Sequence, residues 1–173
     1  MQGMSFFTPL YKEKGFSRFG GCDRMREKGG AGLVMDTLFD LTFYINDDDY
    51  EGGFHIGLFA TREEAEAVAA RYISEVPGFK DYDCTPGVIA FPVIGGMDHT
   101  TQVYRFLGWN INEDLDEIDI LISSCFADQN EAEKALFQAK ERTPREEWAL
   151  NRHTMGQCDW MEGFVRTSTE EKV

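Results

Sequence analysis

The chain has 173 residues, 42% of them hydrophobic and 13% aromatic, and a net charge of −14. That length suits one domain or two small halves sharing a core, and the apolar content excludes a disordered acidic tail. No apolar run approaches the roughly 20 residues of a membrane helix, and an acidic body repels nucleic-acid phosphates and anionic lipid while attracting basic surfaces.

The charge is unevenly placed. Residues 1–35 carry six Lys/Arg against three Asp/Glu, whereas residues 36–173 carry eleven against twenty-eight. Glycines at 15, 20, 21, 29, 30 and 32 punctuate the basic stretch, which has no sustained period and predicts a flexible arm. Its aromatics and cations between Tyr11 and Lys28 would give weak nucleic-acid binding at most, against so acidic a body. A second reading stays open, in which the arm is not native. Lys28-Gly29-Gly30 is what an AAAGGAGGA-type ribosome-binding sequence would encode, upstream of Val34 or Met35 as alternative starts. Cys22, Cys84, Cys125 and Cys158 form no C-x-x-C pair, and no signal-peptide core precedes them, which predicts a reducing cytoplasm.

From residue 37 the pattern sharpens. Residues 37–45 have strand composition, an acidic turn follows over 46–53, and 54–60 reads as the return strand of a hairpin. Thr61 and Glu64 make a T-x-x-E capping box, after which Ala65, Val68, Ala69, Tyr72 and Ile73 fall on one helical face. Pro77-Gly78 ends that helix, and 88–94 supplies a third strand.

The order then recurs. Phe59-Ala60, three residues and Glu64-Ala65-Glu66 reappear 67 positions later as Phe126-Ala127, three residues and Glu131-Ala132-Glu133. Around that match lie a strand over 103–109, an acidic turn over 110–117 and a return strand over 118–127. A helix capped by Asp128 follows, with an apolar stripe of Ala132, Ala135, Leu136 and Ala139. Thr143-Pro144-Arg145-Glu146 predicts a short extra helix to Leu150 that displays Trp148, and 158–167 a closing strand. The expected fold is therefore α+β: two tandem β-β-α-β repeats, 36–97 and 98–167, then a tail over 168–173. Together they would form a mostly antiparallel sheet of about six strands with helices on one face.

Chemistry is sparse. At the repeat offset Asp47 matches Asp114 and Asp49 matches Asp116, so the acidic tip itself is duplicated. These residues with Glu51 read either as solvated turns or as a paired surface for a basic partner. Asp47-x-Asp49-x-Glu51-Gly52 begins like a calcium loop, but its twelfth position is Leu58. His55, His99 and His153 have no zinc spacing, no phosphate-cradle or nucleophile-elbow motif occurs, and no cofactor is expected. Cys125 and Cys158 read most simply as small buried groups in strands, with a nucleophilic cysteine assisted by His153 as the sharper alternative. Strand alternation in the closing segment would put Trp160, Glu162 and Phe164 on one face, giving a carboxylate between two aromatics.

Two stretches, Pro77-Gly78-Phe79-Lys80-Asp81 and Trp160-Met161-Glu162-Gly163-Phe164, resemble a family of short bacterial domains of unknown function. Those domains carry P-G-F-x-D after the helix and finish with W-x-E-G-F. Here the first copy holds one motif and the second copy the other, as if one family unit were duplicated or split. The resemblance implies a fold and carries over no chemistry. The leading functional expectation is a non-enzymatic acidic module that binds a basic protein, of a toxin-neutralising or immunity kind. Its contact residues would be drawn from Asp47, Asp49, Glu51, Asp114, Asp116, Trp148, Trp160 and Glu162. Two alternatives stand beside it. One is a small-ligand binder or enzyme using a groove between the copies, with Trp160, Glu162 and His153. The other is a structural or regulatory subunit that forms a homodimer through a sheet edge.

Overall fold

A computed structural model describes residues 36–45, 53–97, 101–112 and 117–165. The arm over 1–35, the acidic tips with Asp47, Asp49, Glu51, Asp114 and Asp116, and the tail all lie outside the described residues. Among the described residues the chain forms β1 (Asp36–Ile45), β2 (Gly53–Phe59), α1 (Arg62–Glu75), β3 (Cys84–Ile94) and β4 (Gln102–Asn112). Then follow β5 (Glu117–Ile122), β6 (Cys125–Phe126), α2 (Gln129–Arg142) and β7 (Glu147–Thr154). This is a mixed α+β fold. Its strands are hydrogen-bonded in the order β2-β1-β3-β6-β4-β5, and β7 also pairs with β4. β1/β2, β4/β5, β4/β6 and β4/β7 run antiparallel, and β3/β6 runs parallel.

Three expected elements come out differently. The extra helix after Thr143 is strand β7, whose eight residues each face a partner on β4 from Trp109↔Glu147 to Gln102↔Thr154. Pro144 disfavours helical backbone at the residue before it, and Thr143 is the extended C-cap of α2. The proline thus stops one helix and does not start another. The return strand over 118–127 breaks at Ser123, whose hydroxyl accepts from the Phe106 amide at 3.0 Å and donates to the Ser124 carbonyl at 2.7 Å. Past this break β6 pairs parallel with β3, Val93↔Cys125 and Ile94↔Phe126. The closing strand is absent over 158–165: Trp160 and Gly163 both have positive φ, 60° and 79°, which no continuous strand accommodates.

The contacts gather the chain into two compact units, and their borders do not follow the two halves of the sequence. Among the described residues the first holds 39–45, 53–90 and 156–165, the second 36–38, 91–97, 101–112 and 117–155. In the first unit, β1 and β2 pair with a bulge at Leu41/Thr42, so that Leu41, Phe43, Phe54, Ile56 and Phe59 all enter one core. α1 lays Ala65, Ala69 and Tyr72 against them, while Ile73, expected on that face, is largely exposed. The helix opens on Thr61, whose hydroxyl accepts from the Glu64 amide at 3.1 Å, and ends at Val76 just before Pro77. Tyr72 and Phe79 are completely enclosed, and burying a side chain of this size contributes about 1.5–3 kcal/mol.

The last described residues return to this unit. The Gly156 amide donates to the Leu58 carbonyl and the Asp159 amide to the Ile56 carbonyl, both at 2.8 Å, so segment 156–159 lies along β2, the end strand of the sheet order. Covering such an end removes unpaired backbone that would otherwise template further pairing. Gly57 has no Cβ because the Gln157 carbonyl occupies that place. In the second unit α2 packs Ala132, with Ala135, Leu136 and Ala139 half-buried, against Phe106 and Phe126. Its N-cap is Asp128, which accepts from the Glu131 amide at 3.0 Å.

Candidate functional site

Polar groups of the first unit converge where the returning segment meets β2 and α1. On β1, Asp40 is buried and accepts from the Thr42 hydroxyl at 3.1 Å. Thr42 stands opposite His55 of β2. The His55 ring has Nε2 3.6 Å from Asp40 Oδ1 and Nδ1 3.9 Å from Asp159 Oδ2. These are ion-pair separations, longer than hydrogen bonds, and they acquire charge on both sides when the imidazole is protonated. From α1, the Tyr72 hydroxyl donates to the Asp159 carbonyl at 2.5 Å, and an Arg71 guanidinium nitrogen lies 3.8 Å from Cys158 Sγ. Burial, followed by the proximity of Cys158 and of Asp159, pushes the Tyr72 phenol up to about 12, with Arg71 opposing. An imidazole between two carboxylates can take up a proton. Among the described residues no group of three His, Cys, Asp or Glu side chains is placed to hold a metal ion.

Beside this cluster the two motifs, which begin 83 positions apart in sequence, interlock. Phe164 stacks on Phe54 at 4.5 Å and meets Phe79 edge-on at 5.0 Å. A Cβ on Gly78 would stand 2.6 Å from the Phe164 ring, and Gly78 has φ 85°. Trp160 meets Phe54 edge-on at 4.9 Å. Trp160 and Glu162 therefore do not share a face. Trp160 is turned into the aromatic cluster, and Glu162 is exposed. Cys158, expected in a strand, lies in the irregular returning segment, whereas Cys125 is fully buried in β6.

The second unit places Trp148 on β7 against Gly108, where a Cβ would come within 2.7 Å of the indole. His153 stands opposite Val103 on the same strand. Arg145 pairs with Asp119, and Glu146 both accepts from the Ile111 amide and donates its own amide to Asn110, tying the start of β7 to the β4/β5 hairpin. On the outer face of α2, Phe137 is 64% exposed beside Asn130, Glu133 and Lys134.

Sequence reasoning passed over His55, Asp40, Asp159 and Tyr72 as a group, since they come from four segments with no common spacing. The signal that could have found them is the pair of motifs: if P-G-F-x-D and W-x-E-G-F belong to one unit, Asp159 must return to the first helix and strand pair. No family model, no curated protein and no solved structure matches the chain.

Proposed function

We propose that the chain is a non-enzymatic, acidic protein-binding module that recognises a basic partner, in the manner of a toxin-neutralising or immunity protein. The observation that carries this reading is the placement of charge. Of the seventeen Asp and Glu side chains described, fifteen are exposed, Asp40 being buried and Asp36 half-buried. Only seven Lys and Arg side chains are exposed among the same residues, so the surface is acidic beyond the tips that first suggested it. Such a field steers a basic partner and lets it bind fast at low salt.

Two features support a duplicated β-β-α-β scaffold beneath this surface. Both helices have 14 residues, and their bounds, 62–75 and 129–142, coincide at the 67-residue offset. Thr61 and Asp128 cap them with the same side chain to third-residue amide bond. In this reading the returning W-x-E-G-F segment completes the first copy, and both helices cover one face.

The test is retention of a cellular basic protein on the immobilised chain, followed by its affinity as a function of salt. Binding should weaken steeply as ionic strength rises. Asp47→Asn, Asp49→Asn, Asp114→Asn and Asp116→Asn together should abolish it while the circular dichroism spectrum is unchanged. Retention that is indifferent to salt would defeat the acidic-surface reading, and retention by the quadruple variant would move the contact away from the tips. A sheet-edge dimer is the second reading. It is favoured by β7, which among the described residues pairs only with β4, and light scattering of the purified chain decides it.

A further inference from the structure

We propose that His55 is a proton-operated clasp that holds the returning segment, residues 156–165, onto the first unit. The imidazole sits at the junction of three pieces of chain. β1 presents Asp40 to one ring nitrogen, and the returning segment presents Asp159 to the other. The ring is sheltered, its side chain 21% exposed, and Asp40 more so at 9%, while Asp159 reaches it from the solvent side at 56%. α1 closes the third side with Tyr72, bonded to the Asp159 carbonyl, and with Arg71, whose charge lies over the Tyr72 ring and beside Cys158. Glu64 of α1 stands next to Gly156, where the segment begins.

When the segment is docked, the Asp159 carboxylate joins Asp40 in facing the imidazole; when it lifts away, the Asp159 charge is withdrawn. The docked state therefore binds the proton more tightly, and by reciprocity protonation tightens docking. The sign follows directly. The added stability is fully present below the titration of the undocked imidazole, which keeps Asp40, and fades as pH rises through the docked-state titration. What the clasp guards is specific: release uncovers the Ile56 and Leu58 carbonyls on β2 and the aromatic rings of Phe54 and Phe79 beneath Phe164. Mild acid thus closes the β2 edge, and mild alkali loosens it.

Hydrogen–deuterium exchange of the full chain between pH 5.5 and 8 tests this, with rates corrected for intrinsic exchange. The expected change in docking across this range is about three- to ten-fold. Protection of amides in 156–165 should fall by that factor as pH rises, while amides of α2 stay level. Asp159→Asn and His55→Gln should each flatten the profile. Because His55 is sheltered, His55→Gln could fail to fold; the His55 ring titration, followed by NMR in the wild-type chain and in Asp159→Asn, then decides. A lower midpoint in Asp159→Asn supports the clasp. A midpoint unmoved by that change, or wild-type protection independent of pH, overturns it.

Discussion

Gly163 and Pro77 fix each other's backbone: a Cβ on Gly163 would collide with the Pro77 carbonyl oxygen, and the amide of Phe164 donates to that same oxygen at 3.2 Å. Gly163 also sits at φ 79°, a conformation side chains disfavour. Gly163→Ala should therefore cost about 1–3 kcal/mol from backbone strain alone, and more if the turn is forced away from Pro77. The loss would be read by chemical denaturation. Limited proteolysis should show new cleavage between Gly156 and Val165 before the core opens. Unchanged stability would mean that the P-G-F and W-x-E-G-F segments do not depend on each other.

The phenol of Tyr72 is pushed up to about 12 by its burial, with Cys158 and Asp159 adding and Arg71 opposing. A raised value means the folded chain holds the phenolic proton more tightly than the unfolded chain does. That part of the stability is complete below pH 10, the ordinary tyrosine value, and is lost as pH rises from there towards 12. Tyr72→Phe removes the group that titrates. Its stability should therefore decline less between pH 9.5 and 11.5 than that of the wild type, measured as denaturation midpoints at fixed ionic strength. Parallel declines would place the alkaline loss elsewhere.

Both helix caps were legible in the sequence because capping is a local contract between a side chain and an amide three residues on. Thr61→Ala and Asp128→Ala should each destabilise by about 0.5–2 kcal/mol. Because Asp128 also places a negative charge at the positive end of a helix, its loss should be the more salt-sensitive of the two. Thermal melts at low and high salt compare them directly, and equal salt dependence would assign both caps to hydrogen bonding alone.

What local pattern could not convey was the partner of each segment. Thr143-Pro144-Arg145-Glu146 satisfies the rules for a helix start, yet the residues after it are claimed by β4 over eight consecutive positions. Alternation across Trp160, Glu162 and Phe164 imitates a strand, and positive φ at Trp160 and Gly163 turns the chain instead, a conformation the glycine announces and the tryptophan does not. Ala65, Ala69 and Tyr72 were identifiable by period, since burial of one face repeats along a helix, whereas β1 and β2 were legible only as runs of strand-forming residues. The His55 cluster was not, because Asp40, His55 and Asp159 meet only through the return of the chain to β2. The acidic tips, the most conspicuous feature of the sequence, lie outside the described residues.

Burial also raises the Cys84 thiol above its ordinary value, and the charge of Asp83 adds to the effect. A raised thiol has less thiolate at a given pH, so Cys84 should alkylate more slowly at pH 8 than a cysteine in an unfolded peptide. Cys125, fully enclosed, should react more slowly still. Site-resolved mass spectrometry after a short iodoacetamide pulse orders them, and faster reaction at Cys125 would contradict the packing of β6.

Trp148 was singled out as a surface for a partner, and its position makes a structural role testable. The indole lies over Gly108 of β4, where a Cβ would come within 2.9 Å of three ring atoms, and it meets Phe106 at 6.1 Å. Gly108→Ala should thus act through Trp148, lifting the ring or bending β7. The expected cost is about 1–3 kcal/mol, as for other overpacked sites. Trp148→Leu removes the obstructing ring and should itself destabilise by leaving Phe106 less covered. In combination the two changes should cost less than the sum of the singles, because the alanine methyl then occupies space the indole has vacated. A double-mutant cycle in urea measures this coupling. If the effects simply add, Trp148 does not rest on Gly108 in solution, and its indole regains the role of an exposed anchor for a partner.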